Sequence, residues 1–318
     1  MIKADLVTGF LGSGKTTFIK EYAAFLVRKG HKVAIIVNDY GAINVDRLLL
    51  EEALGDMCHL EMVIGGDVDC ARRRLKTKLI AMAMSGYEHV IVEPSGIYDV
   101  DEFFDLIYDE PLDKWYEMGN VLTIVDAALD PDMSLKSRYY LASQVAKAGT
   151  VIISKVDITS VKPQVLKDRI KDYLNSCLGD FNCVRRIKDV YLWERGHEND
   201  SDFEAISRSG YHSGEMVKLP IDEKSSFDSL FYFHVRSNPD MIEDTITKMF
   251  DDGALGHILR LKGFLHDKTG EGWLEINATR QGVTIQPISV GQELFIVIGE
   301  NLNHEAIGSY WDDYRNTL

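Results

Sequence analysis

Cysteine is scarce in this chain, with four in 318 residues at Cys58, Cys70, Cys177 and Cys183. Their spacing builds no secreted disulfide framework. Cys177 and Cys183 flank a loop-like stretch and read as ordinary small apolar residues. Long apolar runs are missing too, so nothing here suits a membrane-spanning helix. Positive charge is in deficit, 35 Lys and Arg against 50 Asp and Glu, for a net charge of −15. A protein that grips a nucleic-acid backbone carries a basic face. The basic cluster from Arg72 to Lys78 reads instead as a solvated helix face paired with nearby carboxylates. There is no internal repeat and no low-complexity segment. Met1 leads almost at once into a strand-like run, so a cytoplasmic protein without a signal peptide is expected.

What is present is an ordinary globular composition, 45% hydrophobic and 27% charged. The length suits two domains or one large α/β unit. Residues 33–37, 89–92, 121–125 and 151–153 are continuous apolar runs, of the kind buried on both faces of a parallel sheet. Amphipathic stretches, such as 72–84 and 163–174, lie between them. Each run ends in polar residues, and open parallel sheets bind ligands at those carboxyl ends. Residues 194–229 are rich in Ser, Gly, Asp, Glu and His and read as a linker or irregular excursion. From 230 onward the pattern is α+β: a strand at 231–236, a helix to Phe250, and strands near 257–264, 272–277, 283–287 and 293–298. A helix from His304 closes the chain. The expected division is a nucleotide-binding α/β domain at 1–193, the linker at 194–229, and a small α+β domain at 230–318.

Residues 9–17 read Gly-Phe-Leu-Gly-Ser-Gly-Lys-Thr-Thr and satisfy G-x-x-x-x-G-K-[ST] in full. A strand precedes them and a helix follows at 17–28, the setting this loop requires. Backbone N–H groups of Gly9, Gly12, Ser13 and Gly14 would cradle phosphates, with Thr17 just beyond. Lys15 would reach the β/γ-phosphates, Thr16 would ligate Mg²⁺, and the helix N-terminus adds its dipole. After another strand comes Glu93-Pro94-Ser95-Gly96. There Glu93 would hold Mg²⁺ through water or polarise the attacking water, and Gly96 would report on the γ-phosphate. Asp39, at the end of the second strand, would contact Mg²⁺ or orient water. Its surroundings, Asn38-Asp39-Tyr40-Gly41, are also a good turn. Ser154-Lys155-Val156-Asp157 sits where GTPases carry Asn-Lys-x-Asp. The Asp157 carboxylate would accept from the guanine N1–H and exocyclic amine, with Lys155 over the ring. Adenine has no donor at N1, so a buried Asp157 would be left unpaired against it. Ser154 stands in place of the asparagine that braces that loop.

Together these motifs resemble the CobW-type P-loop GTPases, kin of the UreG and HypB nickel chaperones. Thr8 to Thr17 is similar to that family's Thr-Gly-Phe-Leu-Gly-x-Gly-Lys-Thr-Thr, and Val37 to Gly41 to its Val-Asn-Glu-Phe-Gly. Glu93 to Gly96 and Ser154 to Asp157 resemble its two later loops. Arg260-Leu261-Lys262-Gly263-Phe264 and Ile298-Gly299-Glu300-Asn301-Leu302 are similar to its small C-terminal domain. The resemblance implies a P-loop NTPase fold, a mostly parallel sheet flanked by helices, with a small α+β domain appended. It also implies GTP hydrolysis with Mg²⁺, coupled to handling a metal or a metal-containing cofactor, with Zn²⁺ or Co²⁺ as candidate ions. The family's Gly-Cys-x-Cys-Cys is here Gly66-Asp67-Val68-Asp69-Cys70. Carboxylates replace two thiolates, which favours harder ions. Two readings stay open: a mixed Asp67/Asp69/Cys70 site with Cys58 or His59 nearby, or an Asp69 that caps the following helix and a metal site that has been lost. Ala42 replaces the second switch glutamate, and no His-rich stretch is present.

The resulting expectation is a GTPase with slow turnover, stimulated by a protein client such as a metalloenzyme or cofactor-dependent enzyme. Guanine nucleotide is its ligand, a second copy of the chain is a candidate partner, and neither nucleic acid nor membrane is. Residues 39–46 and 66–70 would respond to the γ-phosphate. The rival readings are an ATP-dependent kinase or ligase acting on a small molecule, and a nucleotide-gated accessory protein that does not hydrolyse.

Overall fold

The continuous apolar runs become strands sealed on both sides. In this computed structural model the described residues are 1–39, 50, 51, 54–64, 68–196, 200–220, 227–235, 238–289 and 291–311, and the side chains of 38, 39, 56, 64, 68 and 69 are outside the description. The chain divides into two units, Met1–Leu219 and Pro220–Leu318.

In the first unit β1 (Ile2–Thr8), β2 (Val33–Asp39), β3 (His59–Ile64), β4 (His89–Glu93), β5 (Tyr116–Asp126), β6 (Thr150–Ser154) and β7 (Tyr191–Leu192) form one sheet. Its order is β3-β2-β4-β1-β5-β6-β7, and every pairing is parallel. The helices are α1 (Lys15–Arg28), α2 (Val68–Met84), α3 (Val100–Ile107), α4 (Leu135–Lys147), α5 (Pro163–Asp180) and α6 (Asp200–Ile206). Successive residues of a strand point to opposite faces. Val33, Ile35 and Val37 therefore join Phe18, Ile19 and Tyr22 of α1 in one core, while Ala34 and Ile36 join Leu75 and Leu79 of α2 in the other. Each such fully buried Ile or Val contributes about 1.5–3 kcal/mol. That double burial is why β2 tolerates no polar residue before Asn38. The sheet brings the ends of β1, β4, β5 and β6 side by side, and the polar residues of the motifs stand there.

The stretch expected to be a linker is in part built into this unit. α6 presents Phe203 and Ile206, 2% and 4% exposed, to the α1 face of the core. Phe203 lies 5.5 to 6.1 Å, ring to ring, from Phe18, Tyr22 and Phe25. Beyond α6, Gly210 O accepts from Val121 N at 2.9 Å and His212 N donates to Lys147 O at 3.0 Å. A polar, irregular sequence is held here by backbone pairing and two anchoring side chains.

The second unit contains β8 (Asp228–Phe233), α7 (Ile242–Asp251), β9 (His257–His266), β10 (Trp273–Thr279), β11 (Gly282–Ile288), β12 (Leu294–Glu300) and α8 (His304–Gly308). Its five strands form a separate antiparallel sheet in the order β11-β10-β9-β12-β8. Ile242, Ile246 and Met249 of α7 pack with Leu261, Ile276 and Val297. Among the described residues no helix is long and apolar enough to cross a membrane.

Candidate functional site

The loop between β1 and α1 has the shape its glycines permit. Gly14, the residue ahead of α1, sits in the left-handed region at φ 89°, ψ 22°, where a side chain is strained. Gly12 is likewise left-handed at φ 73°. Lys15, only 6% exposed, folds back across the loop and donates from Nζ to Gly9 O at 2.9 Å. Ser13 is 2% exposed, and its Oγ has no hydrogen-bond partner among the described residues. A buried hydroxyl without a partner is unfavourable unless a ligand supplies one. An anion held by the loop would do so. Thr17 is half-buried on the first turn of α1.

The Glu93 loop meets this loop directly. Thr16 Oγ1 donates to Glu93 Oε1 at 2.9 Å, and Glu93 is 6% exposed at the end of β4. A Cβ added to Gly96 would stand 2.8 Å from Leu11 N and 2.9 Å from Leu11 Cα, so only glycine lets the two loops touch. Two hard oxygen donors at the mouth of a phosphate loop are a fitting set for Mg²⁺.

The third loop, after β6, is tied to the first. Ser154 is fully buried. Its Oγ donates to Ser13 O at 2.6 Å and lies 3.3 Å from Val125 O. The serine thus makes the brace expected of the asparagine it replaces. Lys155 is left-handed at φ 57°. Its Nζ bonds Asp126 Oδ2 at 2.5 Å, while Asp126 Oδ1 accepts from Ala128 N at 2.8 Å. Asp126 reads from sequence only as a polar strand end; its part in holding Lys155 emerges from the pairing of β5 with β6. Asp157 lies in a single 3-10 turn, Val156–Ile158, and is exposed. Its carboxylate is therefore accessible rather than buried.

Asp39 ends β2, but its side chain and residues 40–49 lie outside the description, as do Asp67 and the side chain of Asp69. Cys70 is half-buried on α2. Among the described residues no three His, Cys, Asp or Glu side chains gather to hold a metal ion. The outlying candidates are otherwise engaged. Burial pushes the Cys58 thiol up to about 11, which disfavours the thiolate a metal needs. His59 Nε2 is 3.1 Å from Glu61 Oε1, which shares its carboxylate with Lys78 Nζ at 2.6 Å.

Two side chains that the sequence did not single out, Gln144 buried and Asp99 partly buried, support the Glu93 loop. Gln144 Nε2 donates to Gly96 O at 3.1 Å. Asp99 caps α3 and accepts from Tyr139 OH and Ser143 Oγ, each at 2.8 Å, and from Lys218 Nζ at 2.6 Å. Burial drives the Asp99 carboxyl upward, but Lys218, Ser143 and the Asp101 N–H outweigh it, leaving it below its ordinary range.

The model of the CobW/HypB/UreG nucleotide-binding domain matches residues 3–177. The zinc chaperone YeiR of Escherichia coli is 29% identical over 162 residues, covering 50% of this chain and 48% of its own. The zinc chaperone YjiA of the same organism is 26% identical over 166 residues, covering 49% and 50%. The chain thus spans about half the length of these curated relatives. A crystal structure of the Zn(II)-bound YjiA GTPase from E. coli is similar over 99% of both chains, at 17% identity and a TM-score of 0.41.

Proposed function

Because the chain belongs to the CobW/HypB/UreG nucleotide-binding domain family, we propose that it binds and slowly hydrolyses GTP, and couples nucleotide state to delivering a metal to a protein client. The observation that carries this reading is the placement of Thr16 Oγ1 against Glu93 Oε1, 2.9 Å apart beside the phosphate loop. Thr16 and Glu93 would hold Mg²⁺, which would neutralise charge developing on the phosphates. Lys15 exchanges its bond to Gly9 O for phosphate, and Ser13 Oγ donates to a phosphate oxygen. Asp157 accepts from the guanine N1–H and amine while the Lys155 stem covers the ring. Glu93 would also polarise the water that attacks the γ-phosphate. Neither a water-orienting glutamine nor an arginine finger is assigned, and phosphoryl transfer lacking them is slow. Stimulation by the client follows.

The metal is cargo. Relatives named zinc chaperones make Zn²⁺ the first candidate, with Co²⁺ second and Asp67, Asp69 and Cys70 as its proposed ligands. The proposed setting is the cytoplasm. Calorimetric titration with GTP and ATP analogues plus Mg²⁺, with and without Zn²⁺, tests the whole. GTP should bind more tightly than ATP, and Lys15→Ala should abolish binding. Full binding by that variant sinks the assignment, and preference for ATP would point to a kinase or ligase instead. Asp67→Ala combined with Cys70→Ala should lower Zn²⁺ affinity at least about tenfold; unchanged affinity places the metal elsewhere.

A further inference from the structure

The segment from Glu93 to Val100 is fastened to one helix at both of its ends. Near its start, Gln144 Nε2 donates to Gly96 O at 3.1 Å. Near its end, Tyr139 OH and Ser143 Oγ donate to the two oxygens of Asp99, and Val100 N donates to Ser143 Oγ at 3.2 Å. Tyr139, Ser143 and Gln144 all belong to α4, and Gln144 is fully buried.

Gln144 is itself fixed. Its backbone carbonyl accepts from Thr123 Oγ1 of β5 at 2.9 Å. Its Oε1 is buried without a hydrogen-bond partner among the described residues. The amide therefore has one tie, to Gly96 O. On its other side Gly96 is wedged against Leu11 of the phosphate loop, where even a Cβ finds no room. Gly96 is thus held by its carbonyl on one side and crowded by Leu11 on the other.

We propose that Gln144 is a positioning residue for the γ-phosphate contact of Gly96, and that α4 is the element to which that contact is transmitted. This rests on the reading of Gly96 as the residue that senses the γ-phosphate. GDP leaves that contact unmade, so Gln144 should matter for the triphosphate and hardly at all for the diphosphate. When Gly96 turns toward the γ-phosphate, its carbonyl pulls on Gln144, and Asp99 shifts on Tyr139 and Ser143. Loop and helix move as one body.

The test is Gln144→Leu, which keeps the bulk and removes the donor. Affinities for GDP and for a non-hydrolysable GTP analogue are measured with Mg²⁺ by calorimetry. The analogue should weaken about tenfold, the effect of one lost hydrogen bond of about 1.4 kcal/mol, while GDP stays within about twofold. An unchanged ratio of the two affinities overturns the proposal. Hydrogen exchange on the wild-type protein gives an arm that needs no variant. Residues 96–100 and α4 should gain protection together when the analogue replaces GDP. Protection of the loop alone overturns the role of α4. If the wild-type protein itself does not distinguish the analogue from GDP, the reading of Gly96 as sensor falls, and with a different signature from either result above.

Discussion

Ser154 Oγ donates to Ser13 O across 2.6 Å, joining two loops 141 residues apart in sequence. A hydroxyl has a single proton to give, and this one is committed to the phosphate loop. Ser154 is also fully buried. The bond ties the loop after β1 to the end of β6, which in the proposed function would keep the phosphate and base loops at a fixed spacing.

Ser154→Ala should therefore weaken GTP and GDP by the same factor, about five- to tenfold, the effect of one buried carbonyl losing its donor. If the hydroxyl takes no part in base selection, the ratio of GTP to ATP affinity should not move. Calorimetric titration of the variant with all three nucleotides checks both statements. A collapsed GTP preference would mean that Ser154 reads the base.

Thr16→Ala should remove the Mg²⁺-dependent part of nucleotide affinity. In chelator the variant and wild type should bind GDP alike, since the loop amides and Lys15 remain. Adding Mg²⁺ should tighten only the wild type. Equal tightening in the variant would place the ion on other oxygens and separate Thr16 from Glu93 in function.

The phosphate loop was legible because its chemistry imposes glycines at fixed spacing, and β2, β4, β5 and β6 because strands buried on both faces need unbroken apolar runs. β3 was not, since His59, Glu61 and their neighbours alternate at a sheet edge. Gln144 was invisible for a different reason. A single polar residue within a helix has no sequence signature of burial, and its meaning depends on Gly96, brought to it by the sheet. Asp126 likewise acquires its partner Lys155 only because β5 and β6 pair in parallel. The seven residues of α6 are too few for periodicity to stand out of an acidic stretch.

Phe203→Ala tests whether that stretch is structural. The aromatic ring is 2% exposed among three others of α1, and its truncation should destabilise the protein by about 3–5 kcal/mol. The ion pairs beside it, Arg28 with Asp200 and Lys29 with Glu204, are exposed and contribute little. Double substitution of Asp200 and Glu204 to Ala should leave the denaturant midpoint nearly unchanged. If the ion-pair variant were the weaker of the two, α6 would be held by charge rather than packing.

Asp99 sets an acid limit on the first unit. Its carboxyl lies below the ordinary 3.8 in the folded protein, because Lys218, Ser143 and the Asp101 N–H overcome the effect of burial. The unfolded chain therefore binds the proton more readily than the folded one, and stability rises with pH between the two values. The contribution is complete above the unfolded value and is lost as pH falls through the folded one. Asp99→Asn cannot titrate, so its deficit relative to wild type should be largest near neutrality and shrink progressively below about pH 4. Urea midpoints of both proteins from pH 3 to 7 check this. A deficit that stays constant to pH 3 would mean that the cost of the substitution is the lost α3 cap, which an amide would have to fail to replace, and that the Lys218 ion pair carries no pH-dependent stability.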